Sequence, residues 1–284
     1  MISEPSPPWN SLERLAIHSI TTRPWPLETA VEKFSAAGVG GISVWVEALE
    51  GWSATAASEL VRNAGLRIPA LVRGGFFCDS FETVRRQRID ENRRLIDMAQ
   101  ALSAEMLVLV VGAVPREPLA RQRAWVTDAL SHLLDHAAEA NVKLAIEPLH
   151  PMYAANKSCI NRLTEAREIC ESFNHPRLGV AVDVYHVWWD PLLASEIQKL
   201  GQTQRIFGFH LCDWRVPTRD FLNDRALMGD GCIDLVGICR LVESAGFQGW
   251  HEIEIFSEEH WARKQSDFLS DIIERYRILI QQST

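Results

Sequence analysis

A chain of 284 residues, 47% hydrophobic and 23% charged, has the mix of a soluble globular protein and a length that suits one α/β barrel. A formal net charge of −8 argues against a duplex-binding protein, though not against a local basic site, and the densest basic stretch, residues 85–94, is interleaved with Asp90 and Glu91. The polar, Pro-rich start MISEPSPPWN is no secretion signal, no run of about 18 apolar residues would span a membrane, and six scattered cysteines without a CxxC pair fit reduced thiols in the cytoplasm.

Short apolar runs alternate with amphipathic stretches along the whole chain. In order, strands are expected at 15–20, 41–46, 68–73, 106–111, 144–149, 178–186, 206–213 and 249–256. Most are nearly continuous hydrophobic runs, as in strands buried on both faces of a parallel sheet. Helical spacing fills the gaps. Residues 27–37 stop at Gly38. Residues 81–102 carry Phe81, Val84, Leu95, Met98 and Leu102 on one stripe, and the last segment repeats Trp261, Phe268, Ile272, Tyr276 and Leu279. Gly38, Gly65 and Gly246 each follow an alanine and precede a strand, which fits a left-handed helix cap. Eight strand–helix alternations predict one α/β domain, a (β/α)8 TIM barrel over residues 1–284, with residues 1–12 as an N-terminal extension. An open doubly wound sheet is the alternative. The longest irregular stretch, 214–231, follows the seventh strand and reads as a functional loop.

In such a barrel the active site lies at the C-terminal ends of the strands. Strand five ends at Glu147, strand six at Asp183 and His186, strand seven at His210 and Asp213, and strand eight at Glu252 and Glu254. Singly, Glu147 would suit a salt bridge, Asp183 a helix cap and His210 a satisfied core position. Together they crowd one rim with charge whose burial is costly, and a divalent cation would resolve that cost. The period of two puts Glu252 and Glu254 on one face and does not choose between them. Asp213 reads equally as a partner orienting a ligand or as a loop cap. His18, His150 and His251 read as structural. Trp45, Phe76, Phe77, Trp188 and Trp214 fall near strand ends, where some would line a sugar-sized pocket.

The pieces IEPLH around Glu147, VDVYH around Asp183 and His186, GFHLCD around His210, RALMGDG around Arg225 and the closing IEIF around Glu254 resemble, in that order, the xylose isomerase-like TIM-barrel superfamily. Within it they are similar to the sugar isomerase/epimerase group that includes the ketose 3-epimerases. The resemblance implies one divalent ion, Mn²⁺ first and Mg²⁺, Co²⁺ or Zn²⁺ otherwise, held by Glu147, Asp183, His210 and Glu254. It prefers Glu254 over Glu252. It also implies that Glu147 and Glu254 exchange a proton on opposite faces of a small carbohydrate through an enediolate, and that His186 and Arg225 contact substrate oxygens. One departure stands out: Tyr153 occupies the position of a further glutamate in the ketose 3-epimerases, and nearby Lys157 has no counterpart. The second reading is therefore a metal-dependent lyase (dehydratase, decarboxylase or retro-aldol type) on a keto sugar or keto acid, with Tyr153 and Lys157 serving a carboxylate or an acid step. A non-catalytic sugar-binding barrel and a DNA-repair endonuclease are weaker alternatives; the latter needs more His and acidic ligands than strands two to four supply. The expected partner is a small molecule, with no nucleic acid and no membrane, and a homo-oligomer stays open.

Overall fold

The computed structural model describes residues 11–283. The expected N-terminal extension thus falls largely outside the described residues, and Leu12–Arg14 forms a 3-10 turn capped by the Ser11 hydroxyl. The strands are β1 (Leu15–His18), β2 (Gly41–Trp45), β3 (Ala70–Gly75), β4 (Met106–Val110), β5 (Lys143–Ile146), β6 (Leu178–Asp183), β7 (Ile206–Leu211), β8 (Asp213–Trp214), β9 (Arg225–Ala226) and β10 (His251–Ile253). All but β8 and β9 close into a parallel barrel in the order β1-β10-β7-β6-β5-β4-β3-β2. This is a single (β/α)8 barrel, and the open sheet is excluded. Among the described residues no helix is long and apolar enough to cross a membrane.

Strands five to eight of the barrel end two or three residues earlier than their apolar runs suggest. The missing residues leave the ladder to form the rim. At the third strand the ladder begins after Pro69, which has no N–H to give, and runs on to Gly75. Gly75 has φ +103, and a Cβ there would strike the Val110 carbonyl, so only glycine permits this close approach of β3 to β4.

Val72, Met106, Val108, Ala145 and Ala181 fill the barrel interior, and the larger core lies between strands and helices. The stripe on the helix Glu82–Leu102 is rotated from the expected one: Ile89, Asn92, Ile96, Ala99 and Leu102 are buried, whereas Phe81 precedes the helix and is exposed. Asn92 is recruited inward because its amide caps the strained turn at Gly75, accepting its N–H and donating to its carbonyl. The last helix, Gln265–Ser283, buries Phe268, Ile272, Tyr276 and Leu279 as the spacing predicts.

The barrel seam joins β1 to β10 in register Leu15↔His251, Ala16↔Glu252 and Ile17↔Ile253. Side chains staple it. Arg14 donates to the Gly249 carbonyl at 2.6 Å, the Thr21 hydroxyl donates to the Ile253 carbonyl and accepts from the Ile255 N–H, and the Trp261 indole donates to the Ile20 carbonyl.

Candidate active site

Glu147, Asp183, His210 and Glu254 come from four adjacent strands of the closed barrel, β5, β6, β7 and β10. Asp183 lies directly across the ladder from His210, and His210 from Glu252. Glu254 stands two residues above Glu252 on the same inward face. Each of the four offers one ligating atom such that these atoms lie within 4.8 Å of one another, and all four residues are buried.

The electrostatics of this cluster differ from those of other buried acids in the chain. Asp190 has a two-pronged bond from Arg162, and Glu196 is held by Arg167 and Lys199 at 2.7 Å each. In the cluster, Glu147 Oε1 and both ring nitrogens of His210 are buried with no hydrogen-bond partner among the described residues. His210 Nδ1 lies 3.0 Å from Glu147 Oε1, but without hydrogen-bond geometry. Burial raises the Asp183 carboxyl above the usual range, with Arg225 opposing and the charges of Glu254 and Glu147 adding to the rise. Burial acts the same way on Glu254, but Arg225, His18 and His210 outweigh it and hold this carboxyl well below the usual range. Burial disfavours the His210 cation, yet Glu147 and the charges of Glu252 and Glu254 raise it to about 10. Orphaned acceptors and crowded carboxylates around one point are the donor set of a divalent cation site, so these residues fit such an ion.

Arg225 covers the cluster. One of its nitrogens donates to Asp183 Oδ2 at 3.0 Å and to Glu254 Oε2 at 2.8 Å, and another faces His186 Nε2 at 3.4 Å. Its guanidinium sits over Tyr185 and Phe256 at 4.4 and 5.0 Å. Burial first, and the charge of Arg225 second, hold His186 well below the ordinary histidine range, so its ring is neutral.

His18, read from the sequence as structural, lies buried against the cluster. Its Nδ1 is 3.1 Å from Glu254 Oε1 and accepts the Trp45 indole N–H at 3.1 Å, and its Nε2 is 3.4 Å from Glu252 Oε2. Burial alone would lower its affinity for a proton, but Glu254 and Glu252 raise it. Glu252 itself accepts from the Ser43 hydroxyl at 2.5 Å and lies beneath the two imidazoles. The signal was available: in a closed barrel strand one neighbours the last strand. His251 does fit its structural reading, through a 2.8 Å contact with the Tyr276 hydroxyl. His150 packs at the rim against Trp189 and Trp214.

At the base of the stretch 214–231 the two-residue strands β8 and β9 pair antiparallel, and β9 carries Arg225. Asp213 anchors it. Its carboxylate accepts backbone N–H groups from Trp214, Gly229, Gly231 and Ile233 at 2.8–3.0 Å, so it is the loop cap of its two readings. A Cβ at Gly231 would collide with that carboxylate. The Phe221 carbonyl accepts both the Tyr153 hydroxyl, at 2.7 Å, and the Tyr185 hydroxyl, at 2.9 Å. Tyr153 thus ties the loop to β5's rim, with its ring edge toward His186 and Lys157 on its face at 4.6 Å. Trp214 stacks on Tyr185 and Trp188 packs on Trp214, so these two tryptophans form the wall behind Tyr185. Phe77 turns into the core and leaves the site to Trp45 and Phe76.

A family model described as xylose isomerase-like TIM barrel matches residues 31–272. The inosose isomerase of Bacillus subtilis (strain 168) is 26% identical over 203 residues, 69% of this chain and 69% of that protein. The 3-dehydroshikimate dehydratase of Pseudomonas putida is 26% identical over 243 residues, 82% of this chain but 36% of that protein. The crystal structure of protein SMc04130 from Sinorhizobium meliloti 1021 superposes with a TM-score of 0.92 at 43% identity, covering 95% of this chain and 99% of that one.

Proposed function

Since the chain belongs to the xylose isomerase-like TIM-barrel family, we propose that it is a metal-dependent isomerase or epimerase of a small carbohydrate or related keto compound. The observation that carries this is the cluster itself, with Glu147 and Glu254 at the two ends of an arc and Asp183 and His210 between them. A divalent ion held by these four, Mn²⁺ by preference and Mg²⁺, Co²⁺ or Zn²⁺ otherwise, would supply Lewis acidity toward a carbonyl and its neighbouring hydroxyl. Glu254 is kept ionised by Arg225 and His18 and takes the proton from the carbon beside the carbonyl. Glu147, on the far side of the arc, would enter the step protonated and give that proton to the opposite face, and exchange with solvent would reset both carboxyls before the next turnover. His186 is neutral and accepts from Arg225 at Nε2, so its proton sits on Nδ1, a buried donor with no partner among the described residues, which a substrate oxygen would satisfy. Arg225 supplies further donors above the cluster.

The test is incubation of metal-replete protein with a panel of ketoses and keto acids in D₂O. Deuterium uptake at one carbon with unchanged mass otherwise, and about one metal ion per chain, are expected. No exchange with any member, or no bound divalent ion, would overturn the reading. A lyase would use the same proton abstraction, and the dehydratase among the relatives supports it as the second reading; loss of mass from the substrate decides for it. Arg225→Ala is expected to weaken substrate use by about 10² while metal content stays unchanged, measured as kcat/KM beside metal analysis. Unaffected turnover would remove Arg225 from the substrate contacts.

A further inference from the structure

Two cations at the rim have no partner of opposite charge. Arg73, near the C-terminal end of β3, and Lys157, in the loop after β5, are half-buried, and neither side chain makes a hydrogen bond or ion pair among the described residues. Each lies instead on aromatic faces: Arg73 over Trp45 at 5.2 Å and Phe76 at 5.3 Å, Lys157 over Tyr153 at 4.6 Å. Such contacts hold a cation in place without neutralising it.

The backbone brings the two together. Phe76 and Phe77 donate their N–H groups to Val110 and Val111 on one side of the end of β4, and Cys159 donates to Gly112 on the other. The aromatic faces also join the acidic cluster. Trp45 bonds His18 and meets Phe256 edge-on at 5.2 Å, Phe256 underlies Arg225, and Tyr153 meets His186. Burial lowers the Lys157 ammonium, and the charges of Arg73 and Arg225 lower it further. The acid nearest in effect, Asp220, accepts the N–H groups of Leu222 and Asn223 at Oδ1 and forms no ion pair with Lys157 among the described residues.

We infer that Arg73 and Lys157 form an oxyanion subsite beside the acidic cluster, so that the substrate is a small polyhydroxylated molecule bearing a carboxylate or phosphate and not a neutral sugar. The inference rests on the cluster being the catalytic site. An anion between the two cations would relieve their mutual repulsion and gain charge-assisted hydrogen bonds from both.

Binding, not turnover, tests it. Metal-replete wild-type protein is titrated calorimetrically with D-glucuronate, D-glucose 6-phosphate and D-glucose, and the titration is repeated on Arg73→Gln, Lys157→Gln and the double variant. At least one anionic probe is expected to bind about tenfold or more tighter than D-glucose, and the tighter of the two names the oxyanion. The double variant is expected to lose that preference, with a smaller change for D-glucose. Equal affinities in the wild type, a preference that survives in the double variant, or an equal loss for all three probes would overturn the subsite. A protein that prefers the anions yet exchanges no substrate proton keeps the subsite and loses the enzymatic reading. One that exchanges protons without the preference loses the subsite alone.

Discussion

Glu254→Gln is expected to slow substrate C–H exchange by about 10² or more, compared with wild type at matched metal occupancy. The amide keeps the shape and one oxygen, which can still accept from Arg225 as Oε2 now does at 2.8 Å. It cannot accept a proton. His210→Ala should behave differently. It takes one imidazole from the cluster, so metal affinity falls and part of the activity returns at raised metal concentration. The two variants separate proton transfer from metal holding only if metal content is measured in the same samples, because a carboxamide also binds cations less well than a carboxylate. Wild-type exchange by metal-loaded Glu254→Gln would leave Glu254 as a ligand alone. Glu147, or a one-base lyase, would then be the better account.

Asp213→Ala is expected to cost about 3–5 kcal/mol of stability, seen as a lower denaturant midpoint, and to impair substrate use without loss of metal. The buried carboxylate satisfies four backbone N–H groups, and burial raises its pKa against their opposing pull. Deleting it strands all four in a loop that carries Arg225. Asp213→Asn should recover less than half of the loss. Its oxygen can serve one pair of N–H groups, but its NH₂ must then face the other pair. A stability change under about 1 kcal/mol in the alanine variant would show that the loop is held by other means, such as the clasp of Tyr153 and Tyr185 on the Phe221 carbonyl.

The barrel was legible because buried parallel strands leave uninterrupted apolar runs, and all eight lie where such runs occur. Their C-terminal limits were less so. Leu149, Cys212 and Phe256 continue the runs in composition beyond the last residues of the barrel strands, Ile146, Leu211 and Ile253. Three of the four cluster residues were readable as polar interruptions at strand ends. Periodicity alone does not separate Glu252 from Glu254, since a period of two fixes the face and not the height; the resemblance prefers Glu254, and in space Glu254 is the one that accepts from Arg225 and joins the four-residue cluster. The closeness of His18 to the cluster has a topological cause. Four consecutive strands were read as an arc, but closure adds β1 as the fifth neighbour. Lys157 stands out in the sequence as a residue without a counterpart, whereas nothing there singles out Arg73. Their significance lies in what they do not touch, and that is a property of the folded rim.

The seam between β1 and β10 also bears on how the protein is made. During synthesis Glu147, Asp183 and His210 emerge long before Glu254, and until the final strand docks, β1 and β7 each present an unpaired edge. A chain halted before residue 251 would carry two acids and a histidine of the rim cluster and two adhesive edges, but neither Glu254 nor the staples between Thr21, Trp261 and the seam. A cation that needs all four residues binds only the closed form and draws the equilibrium toward it. Divalent metal would therefore act on yield and aggregation during refolding before any substrate is present.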